Sequence, residues 1–366
     1  MKKIHVGVLF GGKSTEHEVS LQSAKNVIDA IDPAKYEVTL IGIDKTGRWH
    51  LNDKAHFLLN ESNPKEIALQ KSDKQVMLSP GNEGQPLLHV LNQTEKSSID
   101  VIFPVLHGAY GEDGTVQGLL KLANVPFVGA GVLGSAVGMD KDVTKRLLRD
   151  AGIPVAKSMT FRAHQQAEID FAAVTAGLGL PLFVKPANLG SSVGVSKVRN
   201  RDEFEAAIQT AFLYDTKVLI EEFVQGREVE CAVLGNERPA ASAVGEIIAQ
   251  RDFYSYEAKY IDESGAILSI PAELPPATVQ KIQAMAVEAF QVLCCEGMAR
   301  VDFFLTPDGR LIVNEINTIP GFTKISMYPK LWEISGLPYP ALIDRLIQLA
   351  LERHEREQKL KMSCDD

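Results

Sequence analysis

Two strand-like segments joined by a short turn decide the fold of this chain. The first reads Arg300-Val301-Asp302-Phe303-Phe304-Leu305, and the second reads Leu311-Ile312-Val313-Asn314-Glu315-Ile316-Asn317. Between them lies Asp308-Gly309, which is a strong signal for a two-residue hairpin turn. In such a turn Pro307 faces Arg310, and the pairing of every other residue follows by counting.

The counting brings four polar side chains onto one face of the hairpin. Successive side chains of a strand point to opposite faces, so Arg300 shares a face with Asp302, and Glu315 shares a face with Asn317. The register then sets Asp302 opposite Glu315 and Arg300 opposite Asn317. Directly opposed carboxylates have Cβ atoms about 4.5–5.5 Å apart and repel each other.

A divalent cation between the two carboxylates would remove that repulsion. Carboxylate oxygens and an asparagine carbonyl form the hard-oxygen set that suits magnesium, and phosphate oxygens can complete the shell. These residues alone also fit a polar face turned to water. The glycine-bearing turn Asn317-Thr318-Ile319-Pro320-Gly321 favours the metal site, because its backbone N–H groups could line a reacting oxyanion.

The composition limits the classes to which the chain can belong. Its 366 residues exceed one ordinary core and predict two or three domains. The net charge of -9 argues against nucleic acid or an anionic membrane as the main partner. The four cysteines include no C-x-x-C pair, and no apolar run approaches the roughly 20 residues that span a bilayer. We therefore expect a cytoplasmic protein without disulfides or membrane contact.

The first third of the chain alternates strands with helices, which predicts a wound parallel sheet. The polar stretch Asn60–Ser98 has low periodicity and is expected to be a surface insertion. The strands are expected at His5–Phe10, Tyr36–Ile43, Asp100–Leu106 and Val125–Val128, and the helices at Ser20–Ile31 and Thr115–Ala123.

The remainder divides into two further units. A helix at Asp140–Asp150 ends before Gly152 and Pro154, and a boundary is placed near its start. The predicted domains are residues 1–139, 140–227 and 228–366. Their other expected elements are strands at Leu182–Pro186, Val193–Val198, Lys217–Phe223, Glu228–Leu234 and Ala243–Ala249, and helices at Asp202–Phe212, at Thr278–Leu293 and from about Tyr339.

A second group of residues is suited to phosphate. Lys185 ends a strand and precedes Gly190-Ser191-Ser192-Val193-Gly194, whose backbone N–H groups and hydroxyls can cradle phosphate oxygens. The segment lacks P-loop spacing, so an ordinary turn stays open from these residues alone. Lys185 and a second lysine, Lys141, favour the phosphate site. The strand end Leu219–Gly226 could pair with adenine, with Glu228 on the ribose, or be an ordinary edge strand.

Six segments, taken in order, resemble the D-alanine–D-alanine ligases of peptidoglycan synthesis, which have the ATP-grasp fold. The resemblance covers nearly the whole chain, and no single segment would establish it. The segments are Gly11–Ser20, His107-Gly108 with Gly111–Gly114, Met139–Lys141, Gly190–Gly194, Glu257–Tyr260 and Asn314–Gly321.

The resemblance implies an α/β (α+β) architecture of three domains, with ATP gripped between the second and third. It implies ATP and two magnesium ions as cofactors, with manganese able to substitute, and a homodimer formed through the first domain. The implied phosphate contacts are Lys141, Lys185, Ser192 and Lys259, and the implied nucleoside contacts are Glu221, Phe223, Val224 and Glu228. Asn314 completes the cofactor contacts, and the implied metal ligands are Asp302, Glu315 and Asn317.

The resemblance also implies a reaction. ATP would phosphorylate the carboxylate of one D-alanine, and the amine of a second would attack through a tetrahedral oxyanion. The implied catalytic residues are Glu16, Ser191 and Tyr260, a hydrogen-bonded triad that closes the loop over the substrates, and Arg300 and Gly321, which stabilise the oxyanion. The resemblance also implies that Glu16 anchors the ammonium group of the first D-alanine. The implied substrate-pocket residues are His107, Ser326 and Met327. A lid must exclude water from the acyl phosphate, and the tyrosine-rich stretch 251–264 is the candidate.

Other functions fit part of this pattern. A ligase that takes D-lactate or D-serine second is the nearest, although Tyr260 favours an amine because depsipeptide-forming relatives resemble this pattern with phenylalanine there. Another ATP-grasp carboxylate–amine ligase would share the nucleotide and metal residues but not the loop at Glu16. A dinucleotide-dependent oxidoreductase is disfavoured because Gly11-Gly12 lacks the G-x-G-x-x-G spacing. A non-catalytic ATP sensor also stays open.

Overall fold

The computed structural model describes residues 2–61, 63, 66–79, 87–91, 96–249 and 266–361. The predicted lid 251–264, with Lys259 and Tyr260, lies outside the described residues. The strands are β1 (Ile4–Gly11), β2 (Tyr36–Ile43), β3 (Trp49–Asn52), β4 (Leu58–Leu59), β5 (Ala68–Leu69), β6 (Val76–Ser79), β7 (Leu87–Val90), β8 (Lys96–Ser98), β9 (Val101–Val105), β10 (Ser158–Arg162), β11 (Leu182–Pro186), β12 (Ser196–Val198), β13 (Lys217–Glu222), β14 (Arg227–Gly235), β15 (Ala240–Ala249), β16 (Ala266–Ser269), β17 (Gly297–Leu305) and β18 (Leu311–Asn317). The helices are α1 (His17–Ala30), α2 (Thr115–Leu122), α3 (Val132–Met139), α4 (Lys141–Asp150), α5 (Phe171–Leu178), α6 (Arg201–Phe212), α7 (Pro276–Val292), α8 (Met327–Ile334) and α9 (Tyr339–Gln358).

The amino-terminal sheet is parallel at its centre, as predicted. Its strand order is β3-β2-β1-β9, with β1 parallel to β2 and β9, and with β3 antiparallel at the edge. The predicted strand Val125–Val128 is reduced to one bridge, between Phe127 and Ile102. The chain leaves the sheet there because Gly129 turns it with a φ of 93°.

The stretch Asn60–Ser98, predicted to be a surface insertion, also contributes to the core. Strands β6, β7 and β8 within it form an antiparallel sheet, and Val76, Leu78, Leu88 and Val90 are buried against the amino-terminal sheet. Strands of three or four residues carry too few positions for a periodic signal. Two inward side chains in each of β6 and β7 are nevertheless enough to extend the core.

Two antiparallel sheets form the rest of the framework. The central sheet has the order β10-β13-β11-β12, and the carboxy-terminal sheet has the order β16-β15-β14-β17-β18. The predicted strand Val193–Val198 is shorter than expected and begins at Ser196. Ser191, Ser192 and Gly194 have φ values of 53°, 61° and 70°, so this segment turns and cannot be extended.

One hydrophobic core joins the two ends of the chain. Val6 and Phe10 of β1 belong to the same buried cluster as Leu346 and Ile347 of α9. Phe322 belongs to the same cluster and packs edge-on against Phe103 at a centroid distance of 6.0 Å. In the part of the chain that the structure describes, no helix is both long and apolar enough to cross a membrane.

Candidate active site

The hairpin of β17 and β18 has a longer turn than predicted. The backbone N–H of Thr306 donates to the Arg310 carbonyl at 3.0 Å, and that of Gly309 donates to the Thr306 carbonyl at 2.9 Å. The loop therefore contains three residues, 307–309, and ends at Gly309 with a φ of 81°, as such loops require. Pro307 does not face Arg310, so the predicted two-residue turn is wrong.

A bulge restores the predicted register at the site. The extra loop residue shifts the pairing by one position near the turn, where Leu305 lies opposite Leu311. Asn314 then falls at an irregularity in the ladder, and beyond it Asp302 lies opposite Glu315. The predicted pairing of the two carboxylates is thus confirmed. The longer loop and the bulge each shift the register by one residue, and the two shifts cancel.

Arg300 and Asn317 also pair as predicted, and both contact Asp302. The Arg300 guanidinium donates through Nε to Oδ1 and through Nη2 to Oδ2 of Asp302, each at 2.7 Å. Asn317 Nδ2 donates to Asp302 Oδ2 at 3.0 Å, and Arg300 Nε lies 2.8 Å from Glu230 Oε2. Glu230 is not among the residues predicted from the sequence, but its carboxylate contacts the Arg300 guanidinium.

The donor set of the hairpin fits magnesium. Asp302, Glu315 and Asn317 supply carboxylate and amide oxygens that line one cavity. Each acid already lies beside a cation, since Arg300 contacts Asp302 and Lys141 Nζ lies 3.5 Å from Glu315 Oε2. Among the described residues, no group of three or more His, Cys, Asp or Glu side chains could hold a metal by itself. Two acids and an amide would therefore need substrate oxygens to complete the shell.

Lys141 is fixed by the start of α4. Asp140 caps this helix by accepting hydrogen bonds from the backbone N–H groups of Asp142 and Val143, each at 3.1 Å. The Lys141 N–H donates to the Ala187 carbonyl at 3.0 Å, and its Nζ donates to the Leu189 carbonyl at 2.7 Å. The helix start thereby positions this lysine against the glycine-serine loop 187–195.

Lys185 shares its acid with a lysine that sequence reasoning missed. Lys185 Nζ donates to Glu221 Oε1 at 2.6 Å, while Lys145 Nζ lies 2.5 Å from Glu221 Oε2. Burial alone would raise the pKa of Glu221, but the two lysines lower it to about 2. The signal for Lys145 was present, because it stands one helical turn after Lys141 in α4.

A second cavity lies between the central and carboxy-terminal sheets. Lys141 and Lys185 are on its wall, and Lys197 Nζ lies 4.3 Å from the centroid of the Phe223 ring. The structure brings to this cavity all the predicted cofactor-binding residues that it describes. They are Lys141, Lys185, Ser192, Glu221, Phe223, Val224, Glu228 and Asn314.

Glu16 and Ser191, which are 175 residues apart in the sequence, are in contact. Ser191 Oγ donates a short hydrogen bond to Glu16 Oε1, and both side chains are buried. A Cβ at Gly108 would lie 2.5 Å from Glu16 Oε2, and one at Gly190 would lie 3.2 Å away, so glycine makes room for the carboxylate at both positions. This contact matches two members of the implied triad, and Tyr260 lies outside the described residues.

Glu112 is a second acid at this end of the site. It accepts hydrogen bonds from the backbone N–H of Gly108 at 2.7 Å and from that of Ile319 at 3.0 Å. Burial and the nearby Glu16 carboxylate raise the pKa of Glu112 to about 8, against the effect of these hydrogen bonds. The segment Gly111–Gly114 drew attention to Glu112, but only the fold shows its contact with Ile319.

His107 is buried with both ring nitrogens in hydrogen bonds. Nδ1 donates to the Ile319 carbonyl at 3.0 Å, and Nε2 lies 3.0 Å from Ser23 Oγ. Because Nδ1 carries the proton and Nε2 accepts, the neutral ring satisfies both partners. Burial lowers the pKa of His107 to about 4. His107 lines the cavity, and its two hydrogen bonds connect Ile319 to α1.

Gly321, Ser326 and Met327 line the same cavity as Arg300. A Cβ at Gly321 would lie 2.6 Å from Ser326 Oγ, so glycine lets the backbone approach that hydroxyl. Ser326 Oγ also accepts from the backbone N–H of Thr323 at 3.0 Å. The turn after β18 and the start of α8 therefore bring these three predicted residues together.

The two cavities adjoin each other. The first contains Glu16, Arg300 and Gly321, and the second contains Lys141 and Lys185. A nucleotide phosphate on one side would therefore face a small substrate on the other. The residues common to both walls are Gly190, Ser191, Glu228, Phe304, Asn314 and Glu315.

Comparisons with known proteins cover nearly the whole chain. Residues 5–130 match the family model of the D-ala D-ala ligase N-terminus, and residues 147–348 match that of the D-ala D-ala ligase C-terminus. The D-alanine--D-alanine ligase of Oceanobacillus iheyensis is 58% identical over 366 residues, with 100% of both chains covered. The D-alanine--D-alanine ligase A of Escherichia coli K12 is 55% identical over 361 residues, with 99% of each covered.

Solved structures agree with the sequence relatives. The D-alanine-D-alanine ligase from Coxiella burnetii superposes with a TM-score of 0.85 and 43% identity, over 98% of this chain and 97% of that one. The VanG D-Ala:D-Ser ligase from Enterococcus faecalis gives a TM-score of 0.83 and 38% identity, over 95% of this chain and 100% of that one.

Lysines line one of two adjoining cavities, and the paired carboxylates Asp302 and Glu315 line the other. The mixed α/β fold and its structural neighbours place the chain in the class of ATP-grasp ligases. The chain belongs to the D-alanine–D-alanine ligase family. This is an ATP-dependent family, and its membership implies the use of ATP and Mg²⁺.

Proposed function

We propose that this chain joins two D-alanine molecules into D-alanyl-D-alanine for peptidoglycan precursors, with conversion of ATP to ADP and phosphate. The adjoining cavities carry this proposal, because Ser191 and Glu315 lie on the wall common to both. A phosphoryl group transferred past that wall would reach a carboxylate held near Glu16. Reactants held in such geometry gain a large part of their rate enhancement from orientation alone.

The nucleotide side of the site supplies positive charge and a metal-binding face. Lys141 and Lys185 would bind the phosphates of ATP, and Phe223 would pack against the base. Asp302, Glu315 and Asn317 would hold magnesium, which neutralises phosphate charge when bound. Two metal ions, manganese substitution and a phosphate contact from Lys259 are parts of the same proposal.

The substrate side binds two amino acids in order. Glu16 would pair with the ammonium group of the first D-alanine, whose carboxylate oxygen attacks the γ-phosphorus of ATP and releases ADP. The second amine then attacks the carbonyl carbon of the acyl phosphate, loses a proton, and expels phosphate. Arg300 and the Gly321 N–H would stabilise the oxyanion, and loss of one such donor typically raises the barrier by about 3–4 kcal/mol.

Two further proposals concern the oligomeric state and the cellular location of the enzyme. The exposed Leu119, Leu122 and Leu133 on α2 and α3 support a homodimer through the first domain. A dimer should be visible in light scattering of the purified chain, and Leu122→Lys should shift it toward monomer. The dependence on ATP supports a cytoplasmic location.

The assay for the proposed function uses purified protein with Mg-ATP and D-alanine. Phosphate release that depends on D-alanine, together with the dipeptide, is the expected result. Folded protein that releases no phosphate in response to D-alanine would overturn the proposal. Competition with D-serine or D-lactate then separates the neighbouring specificities, since a ligase for either would favour the mixed product.

A further inference from the structure

Lys145 is a lysine inside the protein that does not line either cavity of the site. It is 1% exposed and lies on α4, with its Nζ 2.5 Å from Glu221 Oε2. Of the described residues around the nucleotide cavity, Lys185 and Glu221 line the wall and Lys145 stands behind them. Lys145 can therefore reach a ligand only through Glu221.

The three side chains form a row with unequal charge. Glu221 is 2% exposed and its two oxygens contact Lys145 and Lys185. Burial lowers the pKa of Lys145, and the Glu221 carboxylate beside it opposes that shift. With Lys145 protonated, two ammonium groups and one carboxylate leave a net charge of one positive unit. Of the two lysines, only Lys185 faces the cavity, so the surplus charge is directed there.

We propose that Lys145 is a positioning residue for nucleotide binding, which neutralises Glu221 so that the charge of Lys185 is directed at the phosphates of the nucleotide. This inference rests on the proposed function. Without Lys145, Glu221 would be balanced by Lys185 alone, and the pair would present no net charge to an anion. Burying an ammonium group is costly, and an apolar side chain of similar length would fill the same space.

The test compares two ligands that differ only in phosphate. Calorimetry without magnesium gives the Kd of adenosine and the Kd of ADP. The ratio of the adenosine Kd to the ADP Kd measures how much the phosphates strengthen binding. Lys145→Met should lower this ratio about tenfold, because Glu221 would then offset the charge with which Lys185 attracts the phosphates at short range. Adenosine binding itself should change little. Lys145→Arg keeps the charge and should keep the ratio.

The double variant separates charge from structure. In Lys145→Met with Glu221→Gln the acid is gone together with its partner, so Lys185 again carries a net charge and the ratio should recover. Glu221→Gln alone should leave the ratio at least as high as in the natural chain. Recovery in the double variant supports the inference, since a merely structural lysine would not be rescued by loss of its acid.

The results distinguish failure of the proposed function from failure of the inference about Lys145. If the natural chain binds neither ADP nor ATP, the proposed function fails. If it favours ADP over adenosine and Lys145→Met keeps that preference, the inference is overturned and the function stands. If Lys145→Met does not fold, the double variant decides, because a ratio lowered as much as tenfold there would overturn the inference.

Discussion

Arg300 lies between two acids, with Glu230 on one side and Asp302 on the other. Glu221 lies in the same way between Lys145 and Lys185. Charges at the site are therefore shared among three groups rather than matched in pairs. Removal of one member changes the charge that its neighbours present to a ligand, and single substitutions report on that redistribution.

The hairpin acids should be essential for turnover. Asp302→Ala or Glu315→Ala is expected to abolish activity at physiological magnesium with the fold intact, because each removes a hard-oxygen ligand. Phosphate release measured across a magnesium titration checks this, with unfolding as the control for the fold. Asp308→Asn is the matched control, because Asp308 is an exposed acid of the same hairpin outside the two adjoining cavities. Near-normal activity in either alanine variant would refute the metal assignment.

Glu112 should make stability depend on pH. Its pKa rises from 4.5 to about 8 on folding, so its contribution is fully present below pH 4.5. Between pH 4.5 and about 8 the unfolded chain ionises there while the folded chain holds its proton, and stability falls. Without substrate, the stability of the natural chain relative to Glu112→Gln should therefore drop by about 1 kcal/mol or more across that range. Urea unfolding at several pH values measures it, and a constant difference would contradict the raised pKa.

At the scale of elements, the hairpin depends on a glycine in the left-handed region. Gly309 has a φ of 81° and open space around its α-carbon, so a substitution there is opposed by backbone strain alone. Gly309→Ala should lower the free energy of unfolding by about 1 kcal/mol, and Gly309→Asn by less, because asparagine tolerates this conformation. Denaturant unfolding tests the order of the two variants. Equal losses would mean that strain is not the cause.

The same hairpin shows how far the sequence can predict a site. Alternation and the Asp308-Gly309 signal placed Asp302 opposite Glu315 correctly, because side-chain period survives small errors in the turn. The three-residue loop and the bulge at Asn314 could not be read, since each depends on how the strand ends pack. The sequence assigned no role to Lys145 or Glu112 for a related reason. Their partners, Glu221 and Ile319, are far away along the chain, and only the fold brings them close.

At the scale of the whole molecule, Arg353 connects the last helix, α9, to the segment that contains Phe127 and Gly129. Its guanidinium donates to the carbonyls of Gly129 at 2.5 Å and Phe127 at 2.7 Å, and it lies 4.5 Å from the centroid of the Phe127 ring. Arg353→Met should destabilise the protein by about 2–3 kcal/mol, because two buried carbonyls would lose their donor.

Arg356 gives the matched control for that variant. It lies on the same helix and pairs with Glu237 and Glu296, but 38% of its side chain is exposed. Arg356→Met should therefore change the free energy of unfolding by no more than about 1 kcal/mol. Thermal unfolding of both variants checks the comparison, and equal losses would show that the carbonyl contacts contribute little.

The core that joins β1 to α9 has a consequence for synthesis on the ribosome. Phe10 emerges early, whereas Leu346, which belongs to the same buried cluster, follows about 340 residues later. At about 5–20 residues per second, the nascent amino-terminal sheet waits roughly 15 s or longer for its covering helix. During that interval α1 covers part of its apolar face, and the part that α9 covers has no partner from this chain. A chaperone that shields nascent chains should therefore raise the yield of this protein. The increase should be larger than for a protein whose first domain buries its core without a carboxy-terminal helix.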